Sequence, residues 1–259
     1  MERADASTHP VVWAGARWRS IDLISDLHLQ PADPATCAAW RRYLESTHAD
    51  AVFILGDLFE AWVGDDATDA PGFAADCARV LREAADRRPL FFLHGNRDFL
   101  VGQALADRCG FTLLHDPTVL AFGQGRWLLT HGDALCLADT DYLRFRQQVR
   151  SPEWIAAFLR RPLAEREALA RQMRDASQVH HGAAGYQVDV DDHLARQWMD
   201  AACTPVMIHG HTHRPQEHDL GEGRSRVVLS DWDAQARPPR LQALRLGPDG
   251  RHARIPLAP

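Results

Sequence analysis

A layered α/β fold interrupted by a helical insertion is the fold class predicted by this sequence, on three observations. In the first half, short apolar runs alternate with segments of helical periodicity. Over residues 140–200 the strand signals vanish and helical ones replace them. Five short polar blocks each stand where an apolar run stops, and in open α/β sheets ligands gather beyond the carboxyl ends of the strands.

Residues 1 to about 18 read as a loosely structured N-terminal extension. Ile21-Asp22-Leu23-Ile24 reads as a buried strand and leads to the first block, Asp26-Leu27-His28. Residues 35–48 carry Cys37, Trp40 and Leu44 at helical spacing. The run from Ala51 to Leu55 is a second strand, ending at Gly56-Asp57. Residues 72–87 are helical, with Phe73, Cys77, Val80, Leu81 and Ala84 on one face. Leu90 to Leu93 is a third strand and precedes Gly95-Asn96-Arg97-Asp98. Residues 99–109 form a helix that Gly110 stops. Strands follow at about 112–114, 118–122 and 126–130, and the last leads to His131-Gly132-Asp133. Helices occupy 140–200, with dense arginine. Pro205-Val206-Met207-Ile208 precedes Gly210-His211-Thr212-His213, and two later apolar runs, 226–229 and 241–244, complete the sheets. The expected organisation is a core of 19–139 and 201–259 with the insertion at 140–200.

Composition narrows the class. A net charge of -6 argues against a general nucleic-acid binder. The chain has no lysine, so all 29 basic residues are arginine. Cys37, Cys77, Cys109, Cys136 and Cys203 are scattered and odd in number, which predicts reduced thiols and a cytoplasmic setting. No run reaches the roughly 20 apolar residues of a spanning helix, and the N-terminus carries no apolar signal segment.

The blocks supply carboxylate, amide oxygen and imidazole, the donors of hard or borderline divalent ions. Asp26 and His28 lie two apart on an extended segment and can reach one ion. Asp57 can bridge two. Asn96, His131, His211 and His213 complete seven candidate metal ligands. Seven are too many for one site and suit two ions sharing Asp57. Two ions roughly 3.5–4 Å apart acidify a bridging water and clamp phosphoryl oxygens for in-line displacement. His209 reads as a satisfied core histidine, not an eighth ligand.

The five blocks together resemble the calcineurin-like metallophosphoesterase family, with its pattern D-x-H, G-D, G-N-H-D/E, H and G-H-x-H. The resemblance implies a four-layer αββα sandwich with a dinuclear centre. Asp26, His28, Asp57 and His213 would hold one ion, and Asp57, Asn96, His131 and His211 the other. Where the broad family has a proton-donating histidine after the asparagine, this chain has Arg97. Arginine stays protonated at neutral pH, but its planar fork suits phosphate oxygens. Arg97 therefore points to a leaving group that needs no proton, such as the phosphate expelled from an anhydride.

The longer motifs, including Gly56-Asp57-Leu58-Phe59-Glu60-Ala61-Trp62 and His209-Gly210-His211-Thr212-His213-Arg214-Pro215, resemble the UDP-2,3-diacylglucosamine diphosphatases of lipid A biosynthesis. The resemblance covers about residues 21–235. It implies a hydrolase that cleaves the pyrophosphate of a UDP-linked diacylated glucosamine, giving UMP and 2,3-diacylglucosamine 1-phosphate, with two Mn2+ ions activating hydroxide. It implies a cytoplasmic, peripheral monomer on the inner face of the inner membrane, with the insertion as a lid over the acyl chains. Asp57 and Arg97 would be catalytic. Asn96, Arg97, Asp139, Ser177 and His211 would contact substrate. An amide and a lysine that the family carries shortly after Ser177 are not reproduced; His180 and His181 stand there instead. Two other readings are a pyrophosphatase for a different nucleotide-sugar or dinucleotide, and a non-catalytic scaffold of the same fold.

Overall fold

The computed structural model describes residues 9–184 and 188–258, with side chains left undescribed at 175–184. Two six-stranded sheets face one another. The first contains β1 (Val11–Trp13), β6 (Thr118–Phe122), β7 (Gly125–Leu129), β8 (Val206–His209), β9 (Glu217–Gly221) and β10 (Arg224–Val228), in the order β1-β6-β7-β8-β10-β9. The second contains β2 (Ile21–Ile24), β3 (Ala51–Leu55), β4 (Leu90–Leu93), β5 (Thr112–Leu114), β11 (Gln242–Leu246) and β12 (His252–Pro256), in the order β12-β11-β2-β3-β4-β5. Strands β2 to β5 are parallel, as are β7 and β8. Their carboxyl ends therefore gather at one edge.

The strands are continuous apolar runs because both faces are covered. Ile21, Leu23, Phe53, Leu55 and Leu93 point between the sheets, against Leu120, Phe122, Trp127, Leu129 and Ile208. Ile24, Val52, Ile54 and Phe92 point outward to α1 (Pro34–Ser46), α2 (Phe73–Ala85) and α3 (Gln103–Cys109). The period of two thus serves two cores. Asp22 faces outward within β2, fully buried, and is held by Arg245 at 2.7 and 2.9 Å, Thr47 at 2.8 Å and Tyr43 at 3.1 Å. Helix α1 starts where Asp33 accepts from the Thr36 N–H and Pro34 opens the first turn. Gly110 ends α3 at φ 78°, a backbone that favours glycine.

Helices α4 (Thr140–Val149), α5 (Pro152–Leu159) and α6 (Leu163–Ala184) form the insertion. Its apolar side chains Trp154, Phe158, Leu163 and Met173 pack on the same outer core as Trp62 and Phe99. The buried Arg166 guanidinium fixes the start of α6. It pairs with both oxygens of Asp66 and donates to the Val63 carbonyl at 2.5 Å.

Two sequence expectations need correction. Val11–Trp13, inside the stretch read as a loose extension, pairs with β6 as an edge strand. Helix α7 (Asp192–Ala202), read as part of the insertion, covers the outer face of the first sheet, where Ala195, Met199 and Ala202 meet Val119, Leu128 and Met207. Strands β9 and β12 add a partner at sheet edges where the sequence pattern marked none.

Candidate metal centre

All five blocks stand at the carboxyl ends of their strands, on one edge of the sandwich. Asp26 and His28 follow β2, Asp57 follows β3, Asn96 follows β4, His131 follows β7, and His211 and His213 follow β8. Seven non-glycine residues among those described have a left-handed backbone. Five are candidate ligands: Asp26 (φ 56°), His28 (49°), Asp57 (52°), His211 (66°) and His213 (52°). Each costs on the order of 1 kcal/mol or more, and such strain concentrates where side chains are aimed at a ligand.

The side chains converge as two groups. In the open group, His28 Nε2 and His213 Nε2 are 3.2 Å apart, and His213 Nε2 is 3.4 Å from Asp26 Oδ1. In the inner group, Asn96 Oδ1 lies 3.0 Å from His131 Nε2 and 2.9 Å from His211 Nδ1, with Asp57 Oδ1 3.7 Å from His131 Nε2. Asp26, His28 and His213 could share an ion, as could Asp26, Asp57 and His131. Asp26 is thus common to both sets, and Asp57 lies with the inner one. The approach is close enough to need glycine: a Cβ on Gly95 would fall 2.0 Å from Asp57 Oδ1, and one on Gly210 2.2 Å from Asp26 Oδ2.

Electrostatics fit cation binding. Burial alone would raise the Asp26 carboxyl; the His213 hydrogen bond and the charges of His131, His213 and His28 outweigh it and hold it well below the usual range. Burial would lower His131, but Asp57, Asp26 and Asp133 carry it up to about 9. Burial, with the charge of His131, pushes His211 down to about 4. Four imidazoles, from the buried His131 to the exposed His213, face two buried carboxylates, and a divalent ion binds such rings in their neutral form. The donor set of oxygen and nitrogen fits a hard or borderline ion.

A supporting layer surrounds these groups, and sequence reasoning gave it no role. Asp98 accepts the N–H groups of Gly95 and Leu58 at 2.8 Å each and of Asp57 at 3.3 Å, tying two ligand loops together. Asp133 accepts from Tyr142 at 2.5 Å and from Arg146 at 2.8 Å. Arg150 reaches Asp133 and also donates to the Gly95 carbonyl at 2.8 Å. The insertion is thereby fastened to the His131 and Asn96 loops. Glu60 Oε2 is 3.2 Å from His28 Nδ1. Burial raises the Glu60 carboxyl, but His28, then Arg97, then Arg174 bring it below its ordinary value. Asp98, Asp133 and Glu60 all sit inside the five blocks or their extensions; polar residues there were the available signal.

The remaining expected residues are placed as follows. Arg97 donates its backbone N–H to Asp57 Oδ1 at 2.8 Å, and its half-buried side chain lies near enough to Glu60 to act on its charge. Asp139 caps α4, accepting from the Tyr142 N–H at 3.1 Å, and belongs to neither ligand group. The Tyr142 ring stacks on His211 at 6.0 Å. Ser177, His180 and His181 fall on α6, where side chains lie outside the described residues. His209 is fully buried, between the Gly210 carbonyl at 2.9 Å and Arg226 at 3.4 Å. Burial pushes it down to about 4, so it is a neutral core histidine. All five cysteines are free.

The profile of the calcineurin-like phosphoesterases matches residues 19–215. The UDP-2,3-diacylglucosamine hydrolase of Bordetella pertussis is 44% identical over 236 residues, covering 88% of this chain and 92% of that protein. The protein of the same name from Chromobacterium violaceum is 45% identical over 222 residues, covering 82% and 90%. That of Xanthomonas oryzae pv. oryzae is 46% identical over 235 residues, covering 85% and 94%. With its five strand-end blocks in family order and a profile match across most of its length, this chain belongs to the calcineurin-like phosphoesterase family.

Proposed function

We propose that this protein hydrolyses the pyrophosphate bond of UDP-2,3-diacylglucosamine, releasing UMP and 2,3-diacylglucosamine 1-phosphate, with two Mn2+ ions held at the strand-end centre. The observation that carries the reading is the convergence of seven donors on one edge, in a chain 44–46% identical to proteins named for that substrate. Asp26, His28, Asp57 and His213 are assigned to one ion, and Asp57, Asn96, His131 and His211 to the other. Bound ions would supply an acidified water and positive charge for the phosphoryl oxygens.

The chain's own residues do the rest. Asp57 accepts the Arg97 N–H with Oδ1, so the Asn96–Arg97 turn is pinned beside it. Arg97 offers a fixed positive fork to the diphosphate; it moves no proton, which suits departure of a phosphate. Asn96 and His211 border the same space and orient the phosphates. Asp139 and Ser177 are assigned to the sugar and its substituents.

The insertion suits a lipid substrate. Phe145 on α4 and Leu159 on α5 are exposed, as is Leu137 just before α4. Arginines are interspersed along the same helices. Apolar and cationic side chains together fit acyl chains beside anionic headgroups. No helix among the described residues is long and apolar enough to cross a membrane, and the reading is of peripheral attachment to the inner face of the inner membrane.

The deciding experiment follows UMP release from the acylated substrate after chelation, with and without added Mn2+. Release restored by Mn2+ is expected. Equal turnover of soluble UDP-sugars lacking acyl chains would overturn the lipid assignment.

A further inference from the structure

Two histidines of the open group turn the same atom toward each other. His28 and His213 meet Nε2 to Nε2 at 3.2 Å, so each leaves Nδ1 pointing away from the centre. A carboxylate stands behind each. Glu60 Oε2 lies 3.2 Å from His28 Nδ1, which makes no well-aligned hydrogen bond to any other described group. Asp231 Oδ2 lies 4.0 Å from His213 Nδ1, within reach of one bridging water or a small ring movement.

Both carboxylates are themselves held. The Glu60 N–H donates to the Leu29 carbonyl at 3.1 Å, fixing its place beside the His28 segment. Arg240 grips Asp231 through Nε at 3.0 Å and a terminal nitrogen at 2.9 Å. The next residue, Trp232, donates its N–H to the Asp26 carbonyl at 3.0 Å. The Asp231 loop is therefore docked on a ligand-bearing segment. Neither carboxylate falls in a group that could share an ion.

We propose that Glu60 and Asp231 are positioning residues of the open half: each accepts from the Nδ1–H of one histidine and keeps its Nε2 turned to the ion. A carboxylate in this place selects the tautomer, fixes the ring plane and raises the basicity of the ligating nitrogen. The inference rests on the reading of His28 and His213 as ligands.

Mn2+ alone, titrated into chelated full-length protein and followed by the electron spin resonance of free Mn2+, tests it. Glu60→Ala and Asp231→Ala should each weaken one of two binding events by about 10- to 100-fold. Glu60→Gln should lose less than Glu60→Ala, because its amide oxygen still accepts from Nδ1. Unchanged affinity in Glu60→Ala, Glu60→Gln and Asp231→Ala would overturn the proposal. Nitrogen-15 spectra of histidine-labelled parent loaded with Zn2+ give a check that needs no variant. His28 and His213 should both show protonated Nδ1 and metal-bound Nε2; metal on Nδ1 of either ring would overturn its pairing. His28→Ala is the separate control. If it binds two ions as tightly as the parent, the ligand reading itself fails, whatever the carboxylate variants do.

Discussion

On the inner side of the centre, His131 is fully buried and its Nδ1 faces the Leu55 main-chain carbonyl at 2.9 Å. On the open side, the His213 side chain is 37% exposed and its Nδ1 faces the Asp231 carboxylate. The inner ring is thus fixed by a strand that the fold cannot move. The outer rings face carboxylate side chains rather than main chain. Glu60, behind His28, is itself 4.0 Å from Arg174 on α6. One half of the centre is set by folding; the other is accessible to whatever binds above it.

The largest effect should come from the residue assigned to both ions. Asp57→Ala should reduce turnover on the order of a thousand-fold or more, with the far-ultraviolet circular dichroism of the parent retained. Substantial activity in the purified, folded variant would break the dinuclear assignment. Next is Arg97→His, expected to slow anhydride cleavage by about 100-fold in steady-state UMP release. Parent-like rates would show that the Arg97 fork does not stabilise the departing phosphate.

A third experiment sets the halves against each other. Both His131→Ala and His213→Ala should weaken Mn2+ binding, but high Mn2+ should restore activity more fully to His213→Ala. Its place is open to water, which can fill the coordination position, whereas the buried His131 position leaves a sealed gap. Equal recovery across a Mn2+ titration would erase the distinction between the halves.

The smallest effect lies behind the inner half. Both Asp116 carboxylate oxygens are buried, and a hydrogen bond from the Thr130 hydroxyl only partly offsets that burial. Burial, reinforced by the charge of Asp133, pushes this carboxyl up to about 6. A raised carboxyl favours folding at low pH, and that contribution is lost as pH climbs from its unfolded value of about 4 through the folded one. The uncharged Asp116→Asn variant should therefore gain on the parent between those values. By pH 7 the gain should be on the order of 3 kcal/mol, read by denaturant unfolding of chelated protein. A stability difference that does not change with pH would break this reading.

Most of the inner half was legible in the sequence. Apolar runs such as Ala51 to Leu55 show where strands stop, and the next polar residues must stand at the sheet edge. The supporting layer was not legible in the same way. Asp231 reaches His213 only because the segment after β10 docks on the Asp26 main chain, a contact across some two hundred positions of sequence. Glu60 sits in the long motif that begins at Gly56, yet only the folded chain shows which ring it faces. Val11-Val12-Trp13 is too short a run to announce an edge strand. The periodicity of α7 marks an amphipathic helix but not which sheet it covers.

The candidate ligands come from both sheets: Asp26, His28, Asp57 and Asn96 from one, His131, His211 and His213 from the other. Phe53, Trp127, Leu129 and Ile208 fill the space between those sheets and offer no donor to an ion. Their thickness nevertheless sets how far Asn96 stands from His131 and His211. The interlayer packing is in this sense a spacer gauge for the reaction. A misplacement of about 1 Å at a reacting geometry can cost on the order of a hundred-fold in rate. Trimming a methylene from that gauge would be felt as lost chemistry before it was felt as a lost fold.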